Sequence, residues 1–586
     1  MGPRLRGDDA RLGFPANPCQ EPARMNEAPS IATLLQQGLF HHQRGEIAQA
    51  MERYTDVLRT DPQNKDALYY VAVVACQEGQ FKQGIDLARR ALAQGAKEAR
   101  VHNLLGKALE REGEHLEAIK AFDAAIAADA NFAEAHGNRA SILAAAGLPD
   151  EALKGFDRAV ALDPKAVADW INRGSLLLDL GRYEEALASY EKAIALAPDD
   201  PNLQVSRADT LSMLGRFAEG EAAYNVVIKR NPKFALPYAY KGLAVKHQGR
   251  LAEARALMEE ARRLDPNDAN NSYHLALITL LMGDWRAGFP LLESRVGLPK
   301  PSYETLDYPR WQGERPGDFR LVLLCEQGLG DSIQFSRYAS LLAGRGHAVW
   351  VVAPPVLAPL LRTLTGIERV ISTEEELNAD KRSIRWLPLL STMGLLHLTP
   401  DTVPAQAPYL SAEPERVRRW AERIGSAGFK VGIFWQGQMG GPVPAARAAP
   451  LAAFAPLAEI DGVRLISLQK GAGTEQATQV PFAARIECIM DPNDPTAEGP
   501  LDSAAVMANL DLVVSIDSMP AHLAGALSRP TFTALPMVPD WRWLMGRDDT
   551  PWYPTMRLFR QEKLRDWEGV FTRIADAVRD LSTSQA

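Results

Sequence analysis

From residue 31 to residue 302 the small, apolar and polar positions recur with one period of 34 residues. Glycine falls at Gly45, Gly79, Gly113, Gly147, Gly181, Gly215, Gly249 and Gly283. Five residues after each glycine stands a small residue: Ala50, Gly84, Ala118, Ala152, Ala186, Gly220, Ala254 and Gly288. Seven residues before it stands another: Gly38, Ala72, Gly106, Ala140, Gly174, Ala208, Gly242 and Ala276. Pro62, Pro164, Pro198, Pro232 and Pro266 keep the same register, with Ala96 and Ala130 filling the two gaps. The pattern predicts two antiparallel helices per unit, small residues where the paired helices come closest, and prolines that end the second helix.

A strict period of this length is the tetratricopeptide pattern, and eight units make an α-solenoid over residues 31–302. The fifth unit carries it best, through Trp170, Gly174, Ala186, Tyr190 and Pro198. Such an array has no catalytic apparatus of its own; it binds other chains. One helical position, two residues before the small row that precedes each glycine, is expected to face the groove: Gln36, Tyr70, Leu104, Asn138, Asn172, Ser206, Tyr240 and His274. Amides, hydroxyls and rings there suit an extended acceptor peptide held by its backbone, with Asn138, Asn172, Ser206 and Tyr240 as the candidate contacts. The same row also reads as a solvated polar face.

After a breaker-rich linker (303–318) the pattern changes to short apolar runs alternating with helical stretches. Strands are expected at Leu321–Cys325, Ala348–Val352 and Arg369–Ile371. A proline-rich stretch, Thr399–Pro414, closes this lobe (319–414). A second lobe (415–586) follows, with strands expected near Val431–Trp435, Val463–Leu468, Leu512–Ile516 and Thr531–Leu535. Alternation of this kind predicts right-handed βαβ units, two parallel sheets and a cleft at the strand carboxyl ends.

Candidate chemistry sits at those strand ends. The first strand runs into Glu326-Gln327-Gly328-Leu329-Gly330-Asp331, where two glycines allow a sharp turn and close approach of a ligand. Asp331 is expected where the turn passes into a helix from about Ser332 to Ala343, either as a reactive carboxylate or as a helix cap. Leu512–Ile516 ends in Asp517-Ser518-Met519-Pro520-Ala521-His522, with Pro520 suited to a first helical turn. That helix start offers a phosphate site, with Ser518 donating, Asp517 accepting from a ribose hydroxyl or holding the turn, and His522 facing the same anion; a capped helix with a helix-face histidine is the other reading. Gln436 and Lys470 stand at two further strand ends of the same lobe. No Asp-x-Asp pair exists, so nothing points to a metal bridging a nucleotide diphosphate.

Composition narrows the classes. The 46% hydrophobic and 24% charged content is that of a globular protein, and the formal charge of −8 argues against nucleic acid as main partner. Cys19, Cys76, Cys325 and Cys488 are scattered, without metal-ligand spacing or disulfide density, which fits a reducing, cytoplasmic setting. The longest uncharged apolar runs are too short to span a bilayer. Residues 1–30 lack an apolar signal-peptide core and read as a disordered tail, with Met25 a candidate start.

Gln327-Gly328-Leu329-Gly330-Asp331, Ser467-Leu468-Gln469-Lys470-Gly471, Asp517-Ser518 with His522, Pro539-Asp540-Trp541-Arg542-Trp543 and Pro551-Trp552-Tyr553-Pro554 occur in that order. The set resembles the bacterial tetratricopeptide-fused glycosyltransferases, whose GT-B half is similar to lipopolysaccharide heptosyltransferases. The layout also resembles protein O-GlcNAc transferases. The resemblance implies a GT-B fold of two Rossmann-like lobes and Asp331 as catalytic base. It further implies nucleotide-sugar contacts from Gly330, Gln436, Arg447, Lys470, Asp517, Ser518, Met519 and His522. Two departures stand out: Met519 replaces a glycine or alanine, and the segment 436–447 keeps only Arg447 of several basic residues.

These readings converge on a metal-independent, inverting glycosyltransferase with a nucleotide-sugar as substrate and no cofactor. The repeats would recruit the protein acceptor, and the resemblance to bacterial relatives of this layout makes flagellin a candidate. The alternative is a repeat-mediated adaptor with a vestigial GT-B half. Sugar transfer onto lipopolysaccharide would leave the repeats without a role.

Overall fold

A computed structural model describes residues 29–298, 306–373, 376–377, 383–437, 448–490 and 499–585. The expected tail (1–30), apart from its last two residues, and Arg447 lie outside the described residues. The chain divides into two compact units, Met1–Arg216 and Phe217–Ala586.

The first unit is built from helix pairs, from Ile31–Gln43 to Pro201–Met213. The registered glycines sit in the turn between the helices of each pair. All eight, across both units, have φ between +72° and +87°, a left-handed conformation that glycine reaches without a Cβ clash. The small row seven residues earlier is steric. A Cβ on Gly106 would lie 2.5 Å from the Phe122 ring, and one on Gly38 would lie 2.4 Å from the Tyr54 ring. Each glycine therefore makes room for a buried aromatic of the second helix in its own pair.

The second unit continues the pairs from Phe217–Arg230 to Trp285–Leu292, then turns through Glu293–Gly297 into the sheets. The first sheet contains β1 (Phe319–Leu324), β2 (Ala348–Val352), β3 (Arg369–Ile371) and β4 (Ser383–Pro388), in the order β3-β2-β1-β4. The second contains β5 (Phe429–Phe434), β6 (Val463–Ser467), β7 (Ile486–Glu487), β8 (Leu512–Ile516), β9 (Thr531–Leu535) and β10 (Met556–Arg560), in the order β10-β9-β8-β5-β6-β7. Every pairing is parallel. The architecture is thus a tetratricopeptide solenoid followed by α/β layers with two parallel sheets.

The expected strands are present within one or two residues at their ends, and three further strands lie outside the expected set: β4, β7 and β10. All three are sheet edges. One side of an edge strand meets solvent or a loop, so the unbroken apolar run that marks a central parallel strand is lost. Arg385 in β4 and Arg557 in β10 are the interruptions.

Residues 306–318 are not a free linker. Trp311 is buried, its N–H donates to Trp386 O at 2.9 Å, and Trp386 Nε1 donates to Tyr308 O at 2.8 Å, so this segment covers the open edge of β4. The last repeat also shares one core with the sheets. Leu280, Leu281, Trp285, Phe289 and Leu292 pack in the same cluster as Leu321, Phe335, Trp541 and Trp552. Trp285 stacks on Trp552 at 5.3 Å and meets Trp541 edge-on at 5.8 Å.

Candidate functional site

Both sheets switch direction beside their first strand, between β1 and β4 and between β5 and β8. The crevice outside the strand carboxyl ends at such a point is where open α/β sheets bind ligands. The loops after β1 and β8, which carry the two main motifs, therefore occupy the binding positions of their respective sheets.

The loop after β1 is held at its root. Glu326 is buried; its carboxylate accepts from Arg295 Nε at 2.8 Å and Nη2 at 2.9 Å, and from the Leu390 N–H at 2.9 Å. Arg295 follows the last repeat helix, so the repeats' end is bolted to the root of this loop. Burial alone would lower the affinity of Arg295 for its proton, but the carboxylates of Glu326 and Glu293 outweigh it and push the value up. Cys325 beside it is half-buried, and desolvation of its thiol pushes it up to about 12, which disfavours the nucleophilic thiolate. Gln327 then takes φ +59°, rare for a side-chain-bearing residue, and the chain enters the helix Leu329–Gly344.

That helix starts three residues earlier than expected, because Asp331 acts as the third residue of its first turn. Asp331 Oδ2 accepts from the Gly328 N–H at 2.9 Å and closes the helix end. Its Oδ1 takes a hydrogen bond from Arg542 Nη2, supplied by the second lobe. Asp331 is thus both a cap and an ion-pair partner, and its side chain remains 20% exposed.

Arg542 is the organising cation of the site. Its Nη1 donates to Asp540 Oδ1 at 2.6 Å and its Nε to Gln334 Oε1 at 2.9 Å. Its guanidinium lies 5.0 Å from the Trp541 ring centroid and 5.3 Å from that of Phe335. Burial works against its charge, but Asp331 and Asp540 outweigh that and raise its value.

The segment after β8 behaves differently from expectation. His522 does not face an anion. It is buried, its Nδ1 lies 3.1 Å from Tyr553 Oη, and its ring stacks on Trp543 at 5.3 Å. Burial, aided by the Arg542 charge, lowers it to about 3, so it is neutral near pH 7. Ser518 Oγ is turned back to Ile516 O at 3.1 Å and lies 3.1 Å from Ser515 Oγ, leaving the helix Met519–Ala526 without a side-chain cap. Asp517 is buried beside it.

Gly330 also differs from the open, ligand-facing position expected of it. A Cβ there would meet His522 Cδ2 at 3.0 Å, Met519 Cα at 3.3 Å and Met519 N at 3.5 Å. The glycine is needed because the helix starts after β1 and β8 press directly against each other. Gln436 is likewise engaged within its lobe: Oε1 accepts from Gln476 Nε2 at 2.7 Å, and its main chain exchanges hydrogen bonds with the Gln469 amide. Lys470, half-buried after β6, has its ammonium lowered by burial, against the pull of Asp502.

The structure therefore brings together Gly330, Asp331, Met519 and His522, with Arg542 and Gln334 added. Gln436 and Lys470 belong to the other loops of the second sheet, those after β5 and β6. The Asp540/Arg542 pair had a visible signal, since Pro-Asp-Trp-Arg-Trp was one of the motifs in the set. Gln334 had only its place one turn after Asp331. Among the repeats, Asn138 Nδ2 donates to Asn103 Oδ1 at 3.1 Å and Asn172 Nδ2 reaches Ser141 Oγ at 3.5 Å, each linking consecutive repeats. Ser206 accepts through its carbonyl from Thr210 Oγ1 at 2.8 Å; Tyr240 is half-buried. Among the described residues no cluster of ligands fit for a metal is present, and no helix is long and apolar enough to cross a membrane.

Residues 41–108 and 177–243 match one tetratricopeptide repeat family description, 103–167 a second and 140–208 a third. This segment is a tetratricopeptide-repeat array. The chain is also 28% identical over 377 residues to Protein FlbA of Caulobacter vibrioides, a match covering 60% of this chain and 63% of that protein. A match of that extent is longer than residues 1–302 and so reaches into the α/β half. The chain thus spans less than two thirds of this relative's length. Among solved structures, MamA is 22% identical, with a TM-score of 0.26, over 28% of this chain and 94% of its own. A tetratricopeptide repeat protein from Parabacteroides merdae is 19% identical, with a TM-score of 0.33, over 42% of this chain and 97% of its own. At such scores neither likeness extends to function.

Proposed function

We propose that the protein is an inverting GT-B glycosyltransferase that moves a sugar from a nucleotide-sugar to a hydroxyl of a protein recruited by its repeats. The observation that carries this reading is the position of Asp331. It sits at the switch point of the first sheet, against the start of the helix that follows β8 at the switch point of the second. A carboxylate offers about four acceptor positions, and among the described residues two on Asp331 are taken, so an acceptor hydroxyl can still donate to it. Asp331 takes that proton as the hydroxyl oxygen attacks the anomeric carbon and the nucleoside diphosphate departs. One carboxylate suits a single displacement, with general base catalysis worth roughly 10²–10⁴ in rate. With His522 neutral and turned inward, neutralising the leaving phosphate falls to Lys470, Arg447 and the N–H groups of the helix start at Met519.

A panel of nucleotide-sugars offered to the full chain tests the reading, with release of nucleoside diphosphate as the readout. Wild type should turn over one donor, and Asp331→Asn should lose turnover while keeping its affinity for the matching nucleoside diphosphate. An Asp331→Asn variant as fast as wild type would confine Asp331 to capping and end the mechanism. A second reading, a repeat-based adaptor, is favoured by the engagement of both Asp331 oxygens and the burial of His522. It expects partner binding by the repeats and no donor turnover at all.

A further inference from the structure

Three charged groups meet where the two lobes touch: Asp331 from the first, Asp540 and Arg542 from the second. Each donor direction of the guanidinium has its own acceptor, with Nε on Gln334, Nη1 on Asp540 and Nη2 on Asp331. Arg542 is therefore fixed in direction as well as position, and the flanking Trp541 and Phe335 rings prevent it from swinging away. Two carboxylates share one guanidinium, so the trio carries one surplus negative charge. Of the two carboxylates, Asp540 is 12% exposed and Asp331 20%, so the one expected to react is the more open.

We infer that Arg542, kept in place by Asp540 and Gln334, is a positioning residue that orients Asp331 for proton abstraction across the lobe junction. This rests on the glycosyltransferase reading above. In the resting state the guanidinium donates to Asp331 Oδ1 and fixes one carboxylate edge, leaving the remaining lone pairs for the acceptor hydroxyl. When Asp331 takes the proton, the surplus charge is cancelled and Arg542 remains paired with Asp540. The surplus negative charge exists only before the proton is taken; afterwards Arg542 and Asp540 remain a matched pair, so the second carboxylate keeps the buried guanidinium from being left without a counter-charge. The device also ties catalysis to contact between the lobes, because base and orienter lie on different sheets.

The test uses the full chain, the donor panel and calorimetry with the nucleoside diphosphate of whichever donor is turned over. Misplacing a catalytic group by a small distance costs up to about 10²-fold, so Arg542→Gln should lower kcat by 10- to 100-fold. Nucleoside diphosphate affinity should stay within a few-fold of wild type, and added guanidinium ion should restore part of the rate. In the Asp331→Asn background, Arg542→Gln should cause no further loss, since the two residues act as one unit. If burial makes Arg542→Gln fail to fold, Asp540→Asn, which leaves the guanidinium in place but loosened, should lower kcat with unchanged nucleotide affinity. Wild-type kcat in the variants, a loss seen only as weaker nucleotide affinity, or additive losses in the double variant would each overturn the inference while the glycosyltransferase reading stands. No turnover by wild type on any donor overturns both.

Discussion

His522 shows how burial decides what a side chain can do. Its ring is stacked on Trp543 and bonded to Tyr553, and burial lowers it to about 3 in the folded protein. An unfolded histidine titrates near 6.5. The folded state thus disfavours the proton, so this contribution to stability is full above pH 6.5 and is lost as pH falls towards 3. His247 and His274, each lowered to about 4 first by burial and then by Lys246, act in the same direction. Urea midpoints should fall between pH 7 and pH 4.5, and His522→Gln, though less stable at pH 7, should show a shallower fall. An equal fall in both proteins would mean that His522 is accessible to protons in the native state, and its assignment as an interior residue would be wrong.

At the level of elements, the two glycine registers do opposite jobs, and substitution separates them. Gly106 packs under Phe122, so Gly106→Val forces overpacking, which typically costs about 1–3 kcal/mol. Gly113 faces open space at φ +83°, so Gly113→Ala meets no neighbour and suffers only backbone strain, about 1–2 kcal/mol. Trimming the partner ring with Phe122→Leu should recover part of the Gly106→Val loss and none of the Gly113→Ala loss. Thermal unfolding of the four variants reads this directly, and recovery at Gly113 would show that the ring was never the obstacle. Edge strands belong to this scale too: β4 is stable despite Arg385 because Tyr308–Trp311 covers its open side.

For the molecule as a whole, the useful cut lies at Arg216/Phe217 and not in the linker. A fragment beginning at Asp307 would strip Trp285 and Phe289 from the core and leave Glu326 buried without Arg295. Breaking a buried pair from one side costs about 3–5 kcal/mol, a large part of the stability of a typical domain. A fragment 217–586 should therefore be soluble, with cooperative unfolding and a structured aromatic near-ultraviolet signal, whereas 307–586 should aggregate or lack that signal. A well-folded 307–586 would show that the last repeats are dispensable to the sheets. The single substitution Arg295→Met in the full chain should lower the melting temperature for the same reason.

What the sequence determined by itself was everything periodic or local. The 34-residue register placed the helix pairs, because helix packing demands a small residue at each close approach and a left-handed glycine at each turn. Central parallel strands were legible because both faces are buried and the apolar run is unbroken. Asp331 was marked by its glycines, but whether it capped, paired or reacted was not readable. Only the tertiary structure joined it to Arg542, which lies 211 positions away in the chain. The same holds for His522, whose sequence neighbours suggest an exposed helix start until Tyr553 and Trp543 close over it. Arg295 and Glu326 are ordinary charges in the sequence and become a buried bolt only when the last repeat docks on β1. Local pattern reports what each segment needs, and partners brought from distant segments decide which surfaces meet water and which charges remain available for chemistry.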